Sequence, residues 1–160
     1  MKYKLVEIAE LSGNKATIYT VIDCNDNKTL FDYFLEENGD LHLSEIKDII
    51  ARLKVIGEKT GAREQFFKLN EGSPGDGVCA LYDLPNYKLR LYCIRYGTQI
   101  IILGGGGPKK VQKLQQDEKL TKESYFLREL SIKITERLRD KDINYNYSGD
   151  KFEGDLEFEI

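Results

Sequence analysis

Along residues 88–96 apolar and polar side chains alternate. Leu89, Leu91 and Cys93 fall on one parity, and Lys88, Arg90 and Tyr92 on the other. A period of two is that of a β-strand with one face on a core. The second face here carries cations and a hydroxyl. Gly97 and Thr98 turn the chain, and residues 99–103 (QIIIL) supply a partner strand, so the pair reads as a hairpin. Two further short strands are expected upstream, at 66–70 and 78–83. A Gly/Pro loop at 71–77 separates them, and Pro85–Asn86 turns the chain into the central strand. Connections this short predict an antiparallel meander.

The rest of the chain follows the same two periods. Residues 2–8 and the β-branched run 16–22 (ATIYTVI) flank a Ser-Gly-Asn-Lys turn and read as an N-terminal hairpin. Thr29, three residues before Asp32, is a capping arrangement for a helix carrying Leu30, Phe31, Phe34 and Leu35. Gly39–Asp40 ends that helix, and Ser44 is the expected cap of a longer one. Its stripe is Ile46, Ile49, Ile50, Leu53 and Ile56, running to Gly61. A last helix is expected from Thr121, with Leu127, Leu130, Ile134 and Leu138 on one face. The closing DLEFEI sets Leu156, Phe158 and Ile160 against three carboxylates, as in a strand. The order ββ-α-α-ββββ-α predicts an α+β fold with helices on one face of an antiparallel sheet.

Composition narrows the class. The 160 residues, 32% charged and 41% apolar, suit one globular domain spanning 1–160. No apolar run approaches the roughly 20 residues of a membrane span. The start, MKYKLVEIAE, has no uninterrupted apolar segment of the kind a secretory signal carries. A cytoplasmic protein is expected, and no membrane partner. Cys24, Cys79 and Cys93 are odd in number and set among apolar neighbours, and read as reduced, buried thiols. The lone His42 has no companions at ligand spacing, so neither a metal site nor a serine triad is expected. The net charge is −3, but it is unevenly spread. Residues 52–113 hold 11 Lys/Arg against 5 Asp/Glu, and residues 141–160 hold 2 against 6. A basic middle and an acidic tail point to an anionic partner for the former.

The succession VCALYD, LPNYK, LRLYCIRYG, TQIIIL and GGGGPKK, with GAREQFFKLN upstream, resembles the RelE/HigB-type toxins of bacterial type II toxin–antitoxin systems. The likeness is to the phage-derived HigB-like branch of the RelE/ParE superfamily. It covers residues 29–140 in organisation, leaving 1–28 as an added N-terminal hairpin and 142–160 as an acidic tail. It implies two N-terminal helices and a C-terminal helix packed on an antiparallel sheet. The implied activity is ribosome-dependent, metal-independent mRNA cleavage by an endoribonuclease, with no cofactor. The implied partners are a helix-turn-helix antitoxin, the ribosome and mRNA. In such a reaction the RNA 2′-hydroxyl attacks its own phosphate, and cations must stabilise the phosphorane.

Residue by residue, the resemblance assigns catalysis to Arg90, Lys109 and Lys68. It assigns RNA contacts to Lys110 and Tyr92, with Arg63 and Arg95 in the same basic segment. Arg90 suits a phosphate because its guanidinium binds oxyanions in a bidentate fork. The four glycines match neither G-x-x-x-x-G-K-[ST] nor a helix-opening G-x-G-x-x-G, and read as a turn that lets the backbone approach a neighbour or ligand. Asp83 stands where many relatives carry a base, and the chain is longer and more acidic than they are. The acidic tail is then expected to cover Arg90 and Lys109, as an antitoxin would. Two non-enzymatic readings stand beside cleavage: a ParE-like protein binding a gyrase-like target, and a mobile-element protein using the fold to bind a partner.

Overall fold

The computed structural model describes residues 1–69, 71, 72, 75–82, 84–109 and 114–160, the last segment by backbone alone up to 117. Among them are strands β1 (Lys2–Glu7), β2 (Thr17–Asp23) and β3 (Lys28–Thr29), then helices α1 (Leu30–Asn38) and α2 (Leu43–Val55). Strands β4 (Phe67–Lys68), β5 (Val78–Leu81), β6 (Leu89–Tyr96) and β7 (Ile100–Pro108) lead to helix α3 (Leu114–Asp140). Strands β8 (Ile143–Tyr145), β9 (Phe152–Gly154) and β10 (Glu157–Glu159) close the chain. The fold is mixed α+β. The main sheet runs β10-β1-β2-β7-β6-β5-β4 with β3 paired to β2, and β8–β9 form a separate ribbon. Every pairing is antiparallel except β2 with β7.

The helices lie on both faces of the sheet, not on one. From β7, Ile101 and Leu103 join Phe31, Phe34, Ile49 and Leu53 of α1 and α2. Their neighbours Ile100 and Ile102 join Leu127, Leu130 and Ile134 of α3. The run Ile100–Leu103 is unbroken because a strand covered on both sides has no polar face. In β6, Leu89, Leu91 and Cys93 face the first core, and Tyr92 and Ile94 the second.

The N-terminal hairpin is an integral part of this sheet rather than an extension. Strand β2 lies between β1 and β7, in parallel register from Thr17↔Ile100 to Thr20↔Leu103. The buried Thr20 hydroxyl donates to Leu103 O at 3.0 Å and accepts from Phe31 N at 3.4 Å, tying β2, β7 and α1 together.

Local signals at the helix ends mostly read true. The Thr29–Asp32 capping box forms, with Asp32 N donating to Thr29 Oγ1 at 3.0 Å. At α2 the cap position is His42 rather than Ser44; it makes no side-chain cap bond, and its Nδ1 lies 3.4 Å from Glu45 Oε2. A π-helical turn, Ile56–Thr60, extends α2 to Gly61, whose φ of 74° stops it. Helix α3 starts by Leu114, about two turns before Thr121. Cys24 is exposed, and only Cys79 and Cys93 are buried. None of the described helices is long and apolar enough to cross a membrane.

The glycine run is not a turn. Gly104–Gly107 lie within β7, and α3 packs directly on them. A Cβ on Gly104 would stand 2.7 Å from Leu127 Cδ1, and one on Gly106 only 1.9 Å from the Arg90 carbonyl oxygen. The second clash is with backbone, which no rotamer change relieves. Gly106→Ala should therefore cost about 1–3 kcal/mol in urea unfolding. At Gly107, where the nearest atom is the flexible Lys119 Cε at 3.4 Å, alanine should be neutral or mildly stabilising. Equal stability of the two variants would contradict this packing.

The acidic tail does not cover Arg90 or Lys109. Strand β10 pairs with β1, four strands away from β6, with Lys2↔Glu159, Tyr3↔Phe158 and Lys4↔Glu157. Its apolar side chains decide the placement: Ile143, Phe152 and Phe158 are buried in the α3-side core.

Candidate functional site

Alternation along β6 sends Arg90 to the same face as Tyr92 and Ile94, but at the end of the strand where the α3-side core thins out. The pairings Lys68↔Ala80 and Ala80↔Tyr92 carry Lys68 of the edge strand β4 onto that face. Strand β7 brings the third cation: Arg90 pairs with Gly107, Leu89 with Pro108, and Lys109 N donates to Lys88 O at 2.7 Å. Glu45 of α2 pins the start of β6 by accepting from Lys88 N at 2.7 Å and Leu89 N at 3.1 Å.

Lys68 and Arg90 meet on one carboxylate. Glu71 Oε1 lies 3.5 Å from Arg90 Nη1 and 3.8 Å from Lys68 Nζ. Burial lowers the Lys109 ammonium below the ordinary lysine range, the positive charge of Lys68 lowers it further, and Glu45 opposes both. The Lys68 and Lys109 charges therefore feel one another. A shallow cavity of about 340 Å³ beside Lys109 is walled by Pro85, Asn86, Tyr87 and Lys88. Lysine 119, close by over Gly107, is engaged with Glu37 at 3.0 Å and Glu123 at 3.5 Å.

The three expected catalytic cations gather at one end of the sheet, Lys68 and Arg90 on Glu71 and Lys109 within electrostatic reach of Lys68, whereas Tyr92, Arg95 and Arg63, expected to contact RNA, are engaged elsewhere. Tyr92 is 6% exposed, packed in the α3-side core, where it cannot stack on a base. Arg95 projects to the opposite face from Arg90. Its Nε and Nη2 donate to Ala62 O at 3.0 and 2.6 Å, and its guanidinium lies over the Phe67 ring. That is a structural role. Arg63 is exposed and donates from Nε to Thr60 O at 3.2 Å. Lys110 and Asp83 lie outside the described residues.

Glu71 is the site residue that sequence patterning passed over, placing it only in a loop. Its spacing of three from Lys68 was the available signal, since a carboxylate beside a basic position is a candidate counter-ion. A second surface feature lies between α2 and the β4–β5 edge. There an apolar groove of about 270 Å³ is lined by Val55, Ile56, Phe66, Leu81, Tyr82 and Leu84. Val55, Tyr82 and Leu84 are 42, 55 and 47% exposed.

The arrangement offers two oxyanion-binding cations from different strands, a third with a lowered proton affinity, and an adjoining depression. Compared with family models, with curated proteins and with solved structures, the chain finds no match.

Proposed function

We propose that the chain is an mRNA-cleaving toxin of the RelE/HigB kind, whose Lys68–Arg90–Lys109 cluster holds and cleaves an RNA phosphodiester. The observation that carries this reading is the meeting of Lys68 and Arg90 on a single carboxylate oxygen. Two cations placed to share one carboxylate oxygen are also placed to share a phosphate. In the proposed reaction the RNA 2′-oxygen attacks phosphorus and the bond to the 5′-oxygen breaks, leaving a 2′,3′-cyclic phosphate. The 2′-hydroxyl proton passes to water. Arg90 and Lys68 hold the non-bridging oxygens as charge builds, and Lys109 donates a proton to the departing 5′-oxygen. A lysine with lowered proton affinity suits that last step. The test is cleavage of ribosome-bound and free mRNA by wild type beside Arg90→Ala and Lys109→Ala. Cuts present in wild type and lost in both variants support the reading, and their absence in wild type sinks it.

The proton on Lys109 also sets a pH dependence. The charged ammonium is the binding form, and its folded value lies below that of an ordinary lysine. Affinity for RNA should therefore fall as pH rises, beginning earlier than an unperturbed lysine would allow. Lys109→Arg keeps its charge throughout, so its binding curve should lose that early alkaline fall. An unchanged alkaline limb in the arginine variant would remove Lys109 from phosphate binding.

The exposed apolar groove between α2 and the β4–β5 edge favours a second reading, in which the protein acts by binding a partner protein without cleaving RNA. Charge reversal at Arg90 distinguishes the two. Arg90→Glu abolishes toxicity if the cation cluster acts on RNA, and leaves it intact if the groove alone is the working surface.

A further inference from the structure

The Glu71 carboxylate faces two cations, so the group keeps a net positive charge, and its contacts are poorly made. Its two N···O separations, 3.5 Å to Arg90 and 3.8 Å to Lys68, exceed the 2.7–2.9 Å typical of charge-assisted hydrogen bonds. Glu71 Oε1 and Arg90 Nε are both buried, and neither has a hydrogen-bond partner. A planar carboxylate anchored at this position cannot reach all the donors that Arg90 and Lys68 present. A tetrahedral oxyanion, with oxygens directed to several sides, can.

The backbone of Glu71 is held independently of its side chain. Its N–H donates to Val78 O at 3.2 Å, and its carbonyl accepts from Ser124 Oγ of α3 at 3.2 Å. Withdrawing the carboxylate therefore needs only rotation of the side chain, with the main chain staying in place. Its 20% exposure leaves it an outlet to solvent.

We infer that Glu71 is a built-in competitor for the phosphate position: its carboxylate occupies the Arg90–Lys68 pair in the free protein, and an RNA phosphodiester displaces it. This rests on the proposed RNA-directed role of the same cations. The arrangement sets a threshold. A single stray anion must expel a resident charge held at zero distance cost, whereas a polyanionic strand gains further contacts at Lys109 and prevails. Glu71 thus tunes the site toward extended RNA and away from isolated phosphate.

The probe is a short single-stranded oligoribonucleotide, 2′-O-methylated throughout so that it cannot be cut, with affinity measured by fluorescence anisotropy. Glu71→Gln keeps the side-chain size and removes the charge; it should bind about tenfold tighter than wild type, a change of about 1.4 kcal/mol. Glu64→Gln changes net charge equally at an exposed neighbouring position, and should shift affinity less than about twofold. Arg90→Ala should weaken binding, and adding Glu71→Gln to it should restore little. The inference is overturned if Glu71→Gln binds no tighter than wild type, if Glu64→Gln gives the same gain, or if the gain persists without Arg90. Failure of that kind, with Arg90→Ala still weakening binding, leaves the RNA-binding site standing. Unchanged binding by Arg90→Ala would instead remove the site itself. Circular dichroism melting of each variant separates these effects from unfolding.

Discussion

Arg90→Ala is expected to lower RNA cleavage by on the order of 10²–10³-fold, the usual loss when one preorganised donor to a developing oxyanion is removed. Arginine 90 is suited to that role by its position. It sits on β6, whose backbone is set by β7 on one side and β5 on the other, and Gly106 packs against its own carbonyl oxygen. The side chain is 18% exposed, which partly shields its charge from water and strengthens its field at a bound phosphate. Stability should change far less than activity. The Arg90–Glu71 pair is largely buried but poorly made, at 3.5 Å and without a hydrogen bond, so its loss should cost only about 1 kcal/mol. Arg90→Lys keeps the charge but loses the planar fork, so its activity should lie between wild type and alanine. Primer extension on mRNA, with circular dichroism melting to confirm folding, reads both quantities. An alanine variant that cuts normally would exclude Arg90 from the chemistry.

The second large effect concerns the tail. A chain ending at Lys141 is expected to lose most of its folding free energy. Truncation removes Ile143, Phe152 and Phe158, which are buried to 0, 5 and 2% exposure. At about 1.5–3 kcal/mol for each buried side chain, the loss is about 5–9 kcal/mol, set against a typical total of about 5–15 kcal/mol. The truncation also strips β1 of its outer partner and breaks the hydrogen bond from Phe152 N to Tyr19 Oη at 3.0 Å. The Phe158 ring that Arg137 covers at 4.0 Å goes with it. Urea unfolding, or loss of dispersion in the amide spectrum, measures the outcome. A truncated chain that folded normally and cut RNA faster would restore the tail to the role of a removable cover.

Short-range patterns were legible and long-range ones were not. The Thr29–Asp32 cap, the α1 and α2 stripes and the β4-to-β7 meander all follow from spacing within about a dozen residues. The same alternation that marked β6 also suggested an open cationic face. Tyr92 and Ile94 on that parity, with the unbroken Ile100–Leu103, were the signs of a second covering layer. The parallel pairing of β2 with β7 joins residues about eighty positions apart, and no local period encodes it. The glycines of β7 resemble a turn in composition. Their use is seen only against Leu127 and the Arg90 carbonyl, which come from other elements. The tail misled through its charge. Its carboxylates suggested an electrostatic partner, but Ile143, Phe152 and Phe158 fix its place through burial. At the site, sequence singled out Arg90, Lys68 and Lys109. It missed Glu71, whose meaning depends on a distance.

These cations are proposed to promote attack by an RNA 2′-hydroxyl on the adjoining phosphate. The most direct measurement is end analysis of the products made by purified protein acting on ribosome-bound mRNA. The expected ends are 2′,3′-cyclic phosphate or 3′-phosphate at the upstream product and 5′-hydroxyl at the downstream one. No cut is expected where a single 2′-deoxy nucleotide replaces the one before the scissile bond, and only strongly slowed cutting with Arg90→Ala. Absence of cutting by the wild-type protein, 5′-phosphate ends, or cleavage that survives the 2′-deoxy replacement would contradict this mechanism.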